Sequence, residues 1–244
     1  MEMNYSKLFL SNSEVSAIVK GLYNIEGTAI KLDGELDLNF KIECNNSTAY
    51  ILKISRPGTD LQFLNFQQAL LQHAALNAQG LEIPSVIKDK NMASTSQYVD
   101  SNGQLRYVRL LSWIDGRLWS SVRPQTDALR YSLGQKAGLL TKALEGFEHP
   151  MMTRKLDWDN QQVAWVFDYL DIFEGPQHKL MKRFHQLIKA ALPGLCRLRQ
   201  RVVHNDLNDN NILVSHDLRN PAVITAIDFG DAIKTALVHD LGIA

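Results

Sequence analysis

The sequence predicts an α+β chain in two lobes, an antiparallel sheet carrying one substantial helix and then a mostly helical part. Three observations predict it. Apolar and polar residues alternate with period two in short runs through the first half, and from residue 125 apolar residues return at helical spacing. The length, 244 residues, suits one large domain or two intimate lobes, and buries a core without disulfide or metal staples.

Ser11 and Glu14 have capping-box spacing, and Val15, Ile18, Val19 and Leu22 follow on one helical stripe, so a short helix is expected there. Residues 23–33, 37–44 and 48–55 alternate and are separated by Gly34 and by Asn45-Asn46-Ser47, the pattern of an antiparallel meander. Leu61, Leu64, Ala69, Leu70, Ala74 and Leu76 predict a helix from Asp60 to Gln79, stopped by Gly80. Strands are expected at 84–88, 95–100 and 104–111, with Ser101-Asn102-Gly103 as the turn joining the last two. Segments 125–145 (Leu129, Leu133, Ala137, Leu140, Leu144), 160–173 and 177–199 read as helices whose apolar stripes are core faces. Ile212–Val214 and Ala222–Ile227 read as strands joined by Ser215–Pro221. Ser112–Arg117, exposed in character, divides a strand-rich lobe (1–111) from a helix-rich lobe (118–244) as a hinge at 112–117.

Composition excludes several classes. With 45% hydrophobic and 21% charged residues the chain is neither disordered nor collagen-like. Its 26 basic and 26 acidic side chains cancel, so no bulk field draws it to nucleic acid or anionic lipid. No apolar run approaches the roughly 18 residues of a membrane span. The opening MEMNYSKLFLSNSE does not read as a secretory signal. Cys44 and Cys196 form no ligand cluster and read as reduced structural thiols of a cytoplasmic protein. Nothing in the sequence indicates an oligomeric state.

The chemistry concentrates in His204-Asn205-Asp206-Leu207-Asn208-Asp209-Asn210-Asn211 and in Asp228-Phe229-Gly230-Asp231. Phosphoryl transfer needs a carboxylate to accept a hydroxyl proton and Mg²⁺ to neutralise phosphate charge. An Asp, an Asn five residues on, and a second Asp after a β-hairpin meet those needs: Asp206 faces the hydroxyl, and Asn211 and Asp228 offer oxygens to metal. His204 reads as a loop brace. Two other readings stay open for this segment. One is a solvated Asn/Asp turn. The other is a calcium loop using Asp206, Asn208, Asn210 and Asp217, although Asn211 stands where such loops need Gly. Lys53, flanked by β-formers in Tyr50–Ile54, supplies a cation for phosphates.

This set resembles the aminoglycoside phosphotransferase family, small-molecule relatives of the protein kinases. More narrowly, Gly34–Phe40, Val108–Trp113 and His204–Asp209 resemble hydroxylysine kinases and the kinase-like domain fused ahead of some class III aminotransferases. The resemblance implies a two-lobed protein-kinase-like fold and an ATP- or GTP-dependent, Mg²⁺-requiring transfer to a small hydroxylated amine. It also implies roles: Asp206 as catalytic base, Asn211 and Asp228 as metal ligands, Lys53 on the phosphates. The Gly34–Asn39 turn, with Asn39, would lie over the phosphates, and backbone near Ser112–Ile114 would hold the base.

Four departures accompany it. No G-x-G occurs, and Glu35, Asp37 and Asn39 make the phosphate turn polar and acidic. Asn205 stands where the family usually has Gly. The helix expected to offer a glutamate to Lys53 has no acidic residue between Asp60 and Gly80, with Gln67 or Gln68 in that place. Finally, family members continue well beyond the second motif, so the helical lobe reads as C-terminally truncated, with exposed apolar surface expected. A non-catalytic nucleotide-binding module and a fragment of a kinase–aminotransferase fusion are the alternative readings.

Overall fold

The computed structural model describes residues 9–34, 37–195 and 197–244, and there local pattern and local structure coincide closely. Helix α1 (Asn12–Tyr23) starts at a reciprocal cap. Ser11 Oγ accepts from Glu14 N at 3.3 Å, and Glu14 Oε2 accepts from Ser11 N at 2.8 Å. Strands β1 (Thr28–Leu32), β2 (Leu38–Glu43) and β3 (Ala49–Ile54) form the expected meander. Helix α2 spans Leu61–Asn77. Strands β4 (Val86–Ile87) and β5 (Ser96–Val99) both pair with β6 (Leu105–Ser112), which pairs with β3, so the order is β1-β2-β3-β6-β4 with β5 beside β6. The turn from β5 to β6 is closed by Asp100, whose Oδ1 accepts from Asn102 N at 2.8 Å and Gln104 N at 3.0 Å.

Alternation along these strands separates two faces. Phe40, Ile42, Leu52, Ile54, Val108 and Leu110 pack with Val15, Val19 and Tyr23 of α1 in a buried cluster. Asn39, Lys53 and Arg109, of the opposite parity, stand in one cross-strand row on the other face.

Residues through Leu76 and Glu82–Asp115 form one compact unit; Asn77–Leu81 and Gly116–Ala244 form a second. Lys136 Nζ donates to Gly80 O at 2.6 Å, tying the short inserted segment to the second unit. That unit contains β7 (Arg117–Leu118), α3 (Asp127–Ala143), a 3-10 run (Val163–Ile172), α4 (Gly175–Leu195), β8 (Gln200–Val203), β9 (Ile212–Val214), β10 (Val223–Ala226), β11 (Ile233–Ala236) and α5 (Val238–Ile243). Strand β9 lies between β10 and β7, and β8 pairs with β11. Trp119, Val122, Leu129, Ile212, Val214 and Val223 form its buried cluster, which packs α3 onto the three-stranded sheet.

Several expectations need correction. Segment 160–173 is not α-helical: Val163–Ile172 is a 3-10 run broken at Tyr169 (φ −109°, ψ 17°). Its Val, Trp, Phe, Tyr and Ile side chains lose rotamer freedom in an α-helix, which weakens the α-helical preference of this segment. The stripes of this run and of α4 are not core faces, since none of their described residues is buried. Helix α4 meets the run through Phe167 stacked on His185 at 4.1 Å, while Leu180, Phe184 and Leu187 stay 53%, 48% and 55% exposed. Periodicity reports that a helix has an apolar side, and tertiary structure decides what covers it. Ser112–Arg117 is not uniformly exposed: Ser112 closes β6, Arg117 opens β7 and Ile114 is buried. Strands β7, β8 and β11 have no local sequence signature, because each is short and finds its partner at long sequence separation. Cys44 is a half-buried free thiol; Cys196 and Glu35 lie outside the described residues.

Leu52 has no exposed surface in the middle of the sheet core. Leu52→Ala is expected to cost about 2–5 kcal/mol, the range for emptying a buried leucine site. Denaturant melts of both proteins test this, and an unchanged midpoint would show that the cluster does not stabilise the sheet unit.

Candidate active site

The loop between β8 and β9 folds as it does because its asparagines serve as local acceptors and donors. Asn208 Oδ1 accepts from Asn210 N at 2.9 Å, and Asn208 O accepts from Asn211 N at 3.0 Å. The amides then converge on one carboxylate. Asn208 Nδ2 donates to Asp206 Oδ1 at 2.6 Å, and Asn211 Nδ2 donates to Asp206 Oδ2 at 2.6 Å and to Asp206 O at 3.0 Å. A solvated turn would leave that carboxylate to water. The calcium-loop reading also ends here: Ile212–Val214 is strand β9, and Asp217 caps the exposed hairpin, accepting from Arg219 and Asn220 N–H groups. Burial raises the Asp206 pKa above its ordinary 3.8 against the pull of Asn208, His204 and Asn211, and the Asp228 charge pushes the same way as burial.

His204 is fully buried behind this loop. Its Nδ1 accepts from Asp206 N at 3.3 Å and its Nε2 lies 3.0 Å from Ile227 O. One nitrogen accepts and the other donates, which is the neutral tautomer. Burial holds its pKa below the ordinary 6.5 and favours that form. The ring packs edge-on against Phe229, with centroids 4.7 Å apart. The imidazole thereby braces Asp206 on one side and the approach to Asp228 on the other.

Two residues that sequence reasoning missed hold these loops. The buried Asp240 of α5 accepts from His204 N at 3.0 Å and from Asn205 N at 2.7 Å. Arg154 donates to Ala232 O at 2.6 Å and Gly230 O at 3.0 Å, pinning the chain just past Asp228. No local signal marks either one, since their partners lie far away in sequence. Asp240 also accounts for Asn205: the backbone there has φ 64°, a left-handed conformation that suits Gly and that Asn tolerates better than most residues.

Asp228 has φ 60° and accepts from Gly230 N at 3.3 Å. Ile227 N donates to Asn211 O at 2.8 Å, so the strand leading into Asp228 is bonded to the end of the Asp206 loop. Because the Asn211 amide nitrogen is turned to Asp206, its oxygen points away from that carboxylate. Among the described residues no group of three or more His, Cys, Asp or Glu side chains could hold a metal. Asp228 and the Asn211 oxygen instead fit Mg²⁺, which commonly takes one or two protein oxygens and completes its shell with water and phosphate.

The remaining predicted residues lie in the sheet unit. Lys53 sits on β3 opposite Asn39 on β2. Asn39 Nδ2 donates to Asp33 O at 3.2 Å, and its Oδ1 is buried without a hydrogen-bond partner among the described residues. Gly34 fits beneath it because a Cβ there would meet Asn39 Nδ2 and Asp37 O at 2.5 Å. Ser112 and Trp113 have their N–H groups committed to Ser85 O at 2.9 Å and Ala49 O at 3.1 Å. Ser112, Trp113, Tyr50 and Lys41 line a cavity of about 590 Å³, with Lys41 Nζ 4.8 Å from the Trp113 ring centroid.

The family model described as phosphotransferase enzyme family matches residues 28–244. Hydroxylysine kinase of Danio rerio is 25% identical over 256 residues, covering 100% of this chain and 71% of the relative. That of Bos taurus is 27% identical over 247 residues (93% and 63%), and that of Mus musculus 26% over 264 (98% and 69%). The chain thus spans about two thirds of the length of these relatives. Among solved structures, amicoumacin kinase hAmiN in complex with AMP-PNP, Ca²⁺ and Ami superposes with TM-score 0.69 at 16% identity, covering 96% of this chain and 68% of that one. A microcompartment-associated aminopropanol kinase gives 0.70 at 14% identity (95% and 73%). These likenesses show a kinase-like fold.

Asn205 carries a positive φ and two buried side-chain atoms without partners among the described residues. Asn205→Gly is therefore expected to raise the melting temperature, and Asn205→Ala to lower it; the reverse order would refute the strain argument. Asp240→Ala orphans two buried N–H groups, at about 1–3 kcal/mol each. Hydrogen exchange at His204 and Asn205 is expected to accelerate in that variant.

Proposed function

The chain belongs to the phosphotransferase enzyme family and is a small-molecule kinase, and from that premise we propose that it moves the γ-phosphoryl group of ATP or GTP to an alcohol of a small amine-bearing metabolite. Hydroxylysine is the leading acceptor, because the hydroxylysine kinases of three vertebrates align over 93–100% of the chain. The observation that carries the reading is the Asp206 carboxylate, half-buried, gripped by two asparagine amides and raised in pKa.

Asp206 accepts the alcohol proton as the oxygen attacks the γ-phosphorus, and the bond to the bridging oxygen of the leaving nucleoside diphosphate breaks. His204 keeps the base in place. Asn211 and Asp228 would hold Mg²⁺, which neutralises phosphate charge. Lys53 steadies the phosphates, with Asn39 beside it. The cavity at Ser112 takes the purine, and with two hinge N–H groups already committed, Ile114 is its remaining backbone contact. In this reading 1–111 is the nucleotide lobe, 112–117 the hinge and 118–244 the lobe of the catalytic and metal loops. Among the described residues no helix is long and apolar enough to cross a membrane, and we place the enzyme in the cytoplasm. A non-catalytic nucleotide-binding role is the second reading, favoured by the lack of any acidic residue on α2.

Screening hydroxylated amines for ATP and GTP consumption separates the two readings; nucleotide binding with no acceptor turned over would leave the second. Asp206→Asn is expected to lower kcat about 10²–10⁴-fold, the span of general-base catalysis, with nucleotide affinity nearly intact. Asp228→Ala is expected to abolish the Mg²⁺-dependent thermal shift by nucleotide, and an equal shift in the variant would remove it from the metal site. The base must be ionised to work, so kcat/KM falls as pH drops through the raised Asp206 pKa. The acid limb is expected above the ordinary 3.8, and a limb at or below that value would contradict Asp206 as the base.

A further inference from the structure

Outside the site, the second unit buries a carboxylate, a hydroxyl and an imidazole that the reaction does not use. Thr235 of β11 donates its hydroxyl hydrogen to Asp159 Oδ1 at 2.8 Å and accepts from Gln161 Nε2 at 2.7 Å. Gln161 Nε2 also donates to Gln200 Oε1 of β8 at 2.9 Å. His239 of α5 brings its Nδ1 to 3.2 Å from the Thr235 oxygen and to 3.9 Å from Asp159 Oδ1. With the threonine hydrogen committed to the carboxylate, Nδ1 is the donor. Burial holds the His239 pKa below its ordinary 6.5, against the pull of Asp159 and Asp240, and so favours the neutral ring. Its Nε2 is buried without a hydrogen-bond partner among the described residues, so a second proton there would meet no acceptor among them.

We infer that the Asp159–Thr235–His239 cluster positions the catalytic base through Asp240. His239 and Asp240 are consecutive on α5, and the Asp240 carboxylate holds His204 N and Asn205 N. The hydrogen bond to Thr235 fixes α5 against β11, and β11 pairs with β8, which runs directly into His204. The entrance of the loop is therefore held twice, by the strand that delivers it and by the helix whose carboxylate accepts its N–H groups. A neutral ring beside Asp240 leaves that carboxylate to the backbone. Removing the threonine hydroxyl leaves a buried carboxylate, amide and imidazole each short of a partner and frees the α5 turn to rotate. Asp240 then slackens on His204 and Asn205, and Asp206, the next residue, loses its aim between Asn208 and Asn211. Coupling of this kind passes through contiguous buried contacts. Every link from Asp159 to Asp206 is a hydrogen bond or a peptide bond.

This inference rests on the reading of Asp206 as the base, so Asp206→Asn is measured alongside. With hydroxylysine and the other amines of the screen as acceptors, kcat, nucleotide KM and Kd, melting temperature and hydrogen exchange at His204 and Asn205 are compared. The series is wild type, Asp206→Asn, Thr235→Val, Thr235→Ser and Asp159→Asn. Thr235→Val keeps the side-chain shape without the hydroxyl. It is expected to lower kcat about tenfold and to speed exchange at both amides, with nucleotide Kd nearly unchanged. Thr235→Ser keeps the hydroxyl and is expected to retain most of the wild-type kcat and the slow exchange. Asp159→Asn removes the charge at nearly constant shape, acts in the same direction as Thr235→Val, and keeps the test open if that variant fails to fold. Should Asp206→Asn lower kcat while Thr235→Val changes only the melting temperature, the cluster is structural and the inference is overturned. Equal losses in Thr235→Ser and Thr235→Val would overturn it too, because the hydroxyl would not be the link. If Asp206→Asn leaves kcat unchanged, or the wild type phosphorylates none of the amines, the fault lies with the assignment of the base, and the inference falls with it.

Discussion

The second unit depends on a buried carboxylate answering two backbone N–H groups. Asp240 reaches back 36 residues to His204 N and 35 to Asn205 N. Those groups open a loop that leaves the strand with a left-handed residue, a conformation worth about 1–3 kcal/mol of strain that must be over-determined by its surroundings. Once the backbone is held there, His204 is fixed, Asp206 is presented between two amides, and the strand before Asp228 bonds to Asn211. Burial raises the pKa of both Asp206 and Asp240, a desolvation cost that the hydrogen bonds to each carboxylate offset in part.

The sheet unit solves a related problem with cations. Lys53 and Arg109 are cross-strand partners on β3 and β6, and Asp37 from the β1–β2 turn forms an ion pair with Arg109. Neutral Gln67 on α2 is no defect in this arrangement: a guanidinium has donors enough for an amide and a carboxylate together. The β1–β2 turn is acidic in sequence. At least one of its carboxylates is occupied by Arg109.

Much of this could be read from the chain. The capping box of α1, the meander, the α2 and α3 helices and the β5–β6 hairpin are set by residues within a few positions of one another. The segment from His204 to Asn211 and the Asp228 motif also stood out in the sequence, and the structure gathers Asp206 and Asn211 beside His204 and bonds the strand before Asp228 to Asn211. Other features did not. The stripe of α4 looked like a core face, yet Leu180, Phe184 and Leu187 are about half exposed, since an amphipathic pattern carries no information about its partner. Strands β8 and β11 are four residues each and make sense only when paired with each other.

What the sequence determined by itself was local: where backbone turns, which side of each strand is apolar, and which functional groups recur at chemically meaningful intervals. Tertiary structure alone decided that Asp240 serves His204 and Asn205, that Arg154 serves the loop after Asp228, and that Arg109 joins Asp37 and Gln67. The physical reason is desolvation. A buried charge or N–H must find a complement wherever the fold supplies one, at separations such as the 72 residues between Asp37 and Arg109, and nothing in the neighbouring sequence encodes that choice.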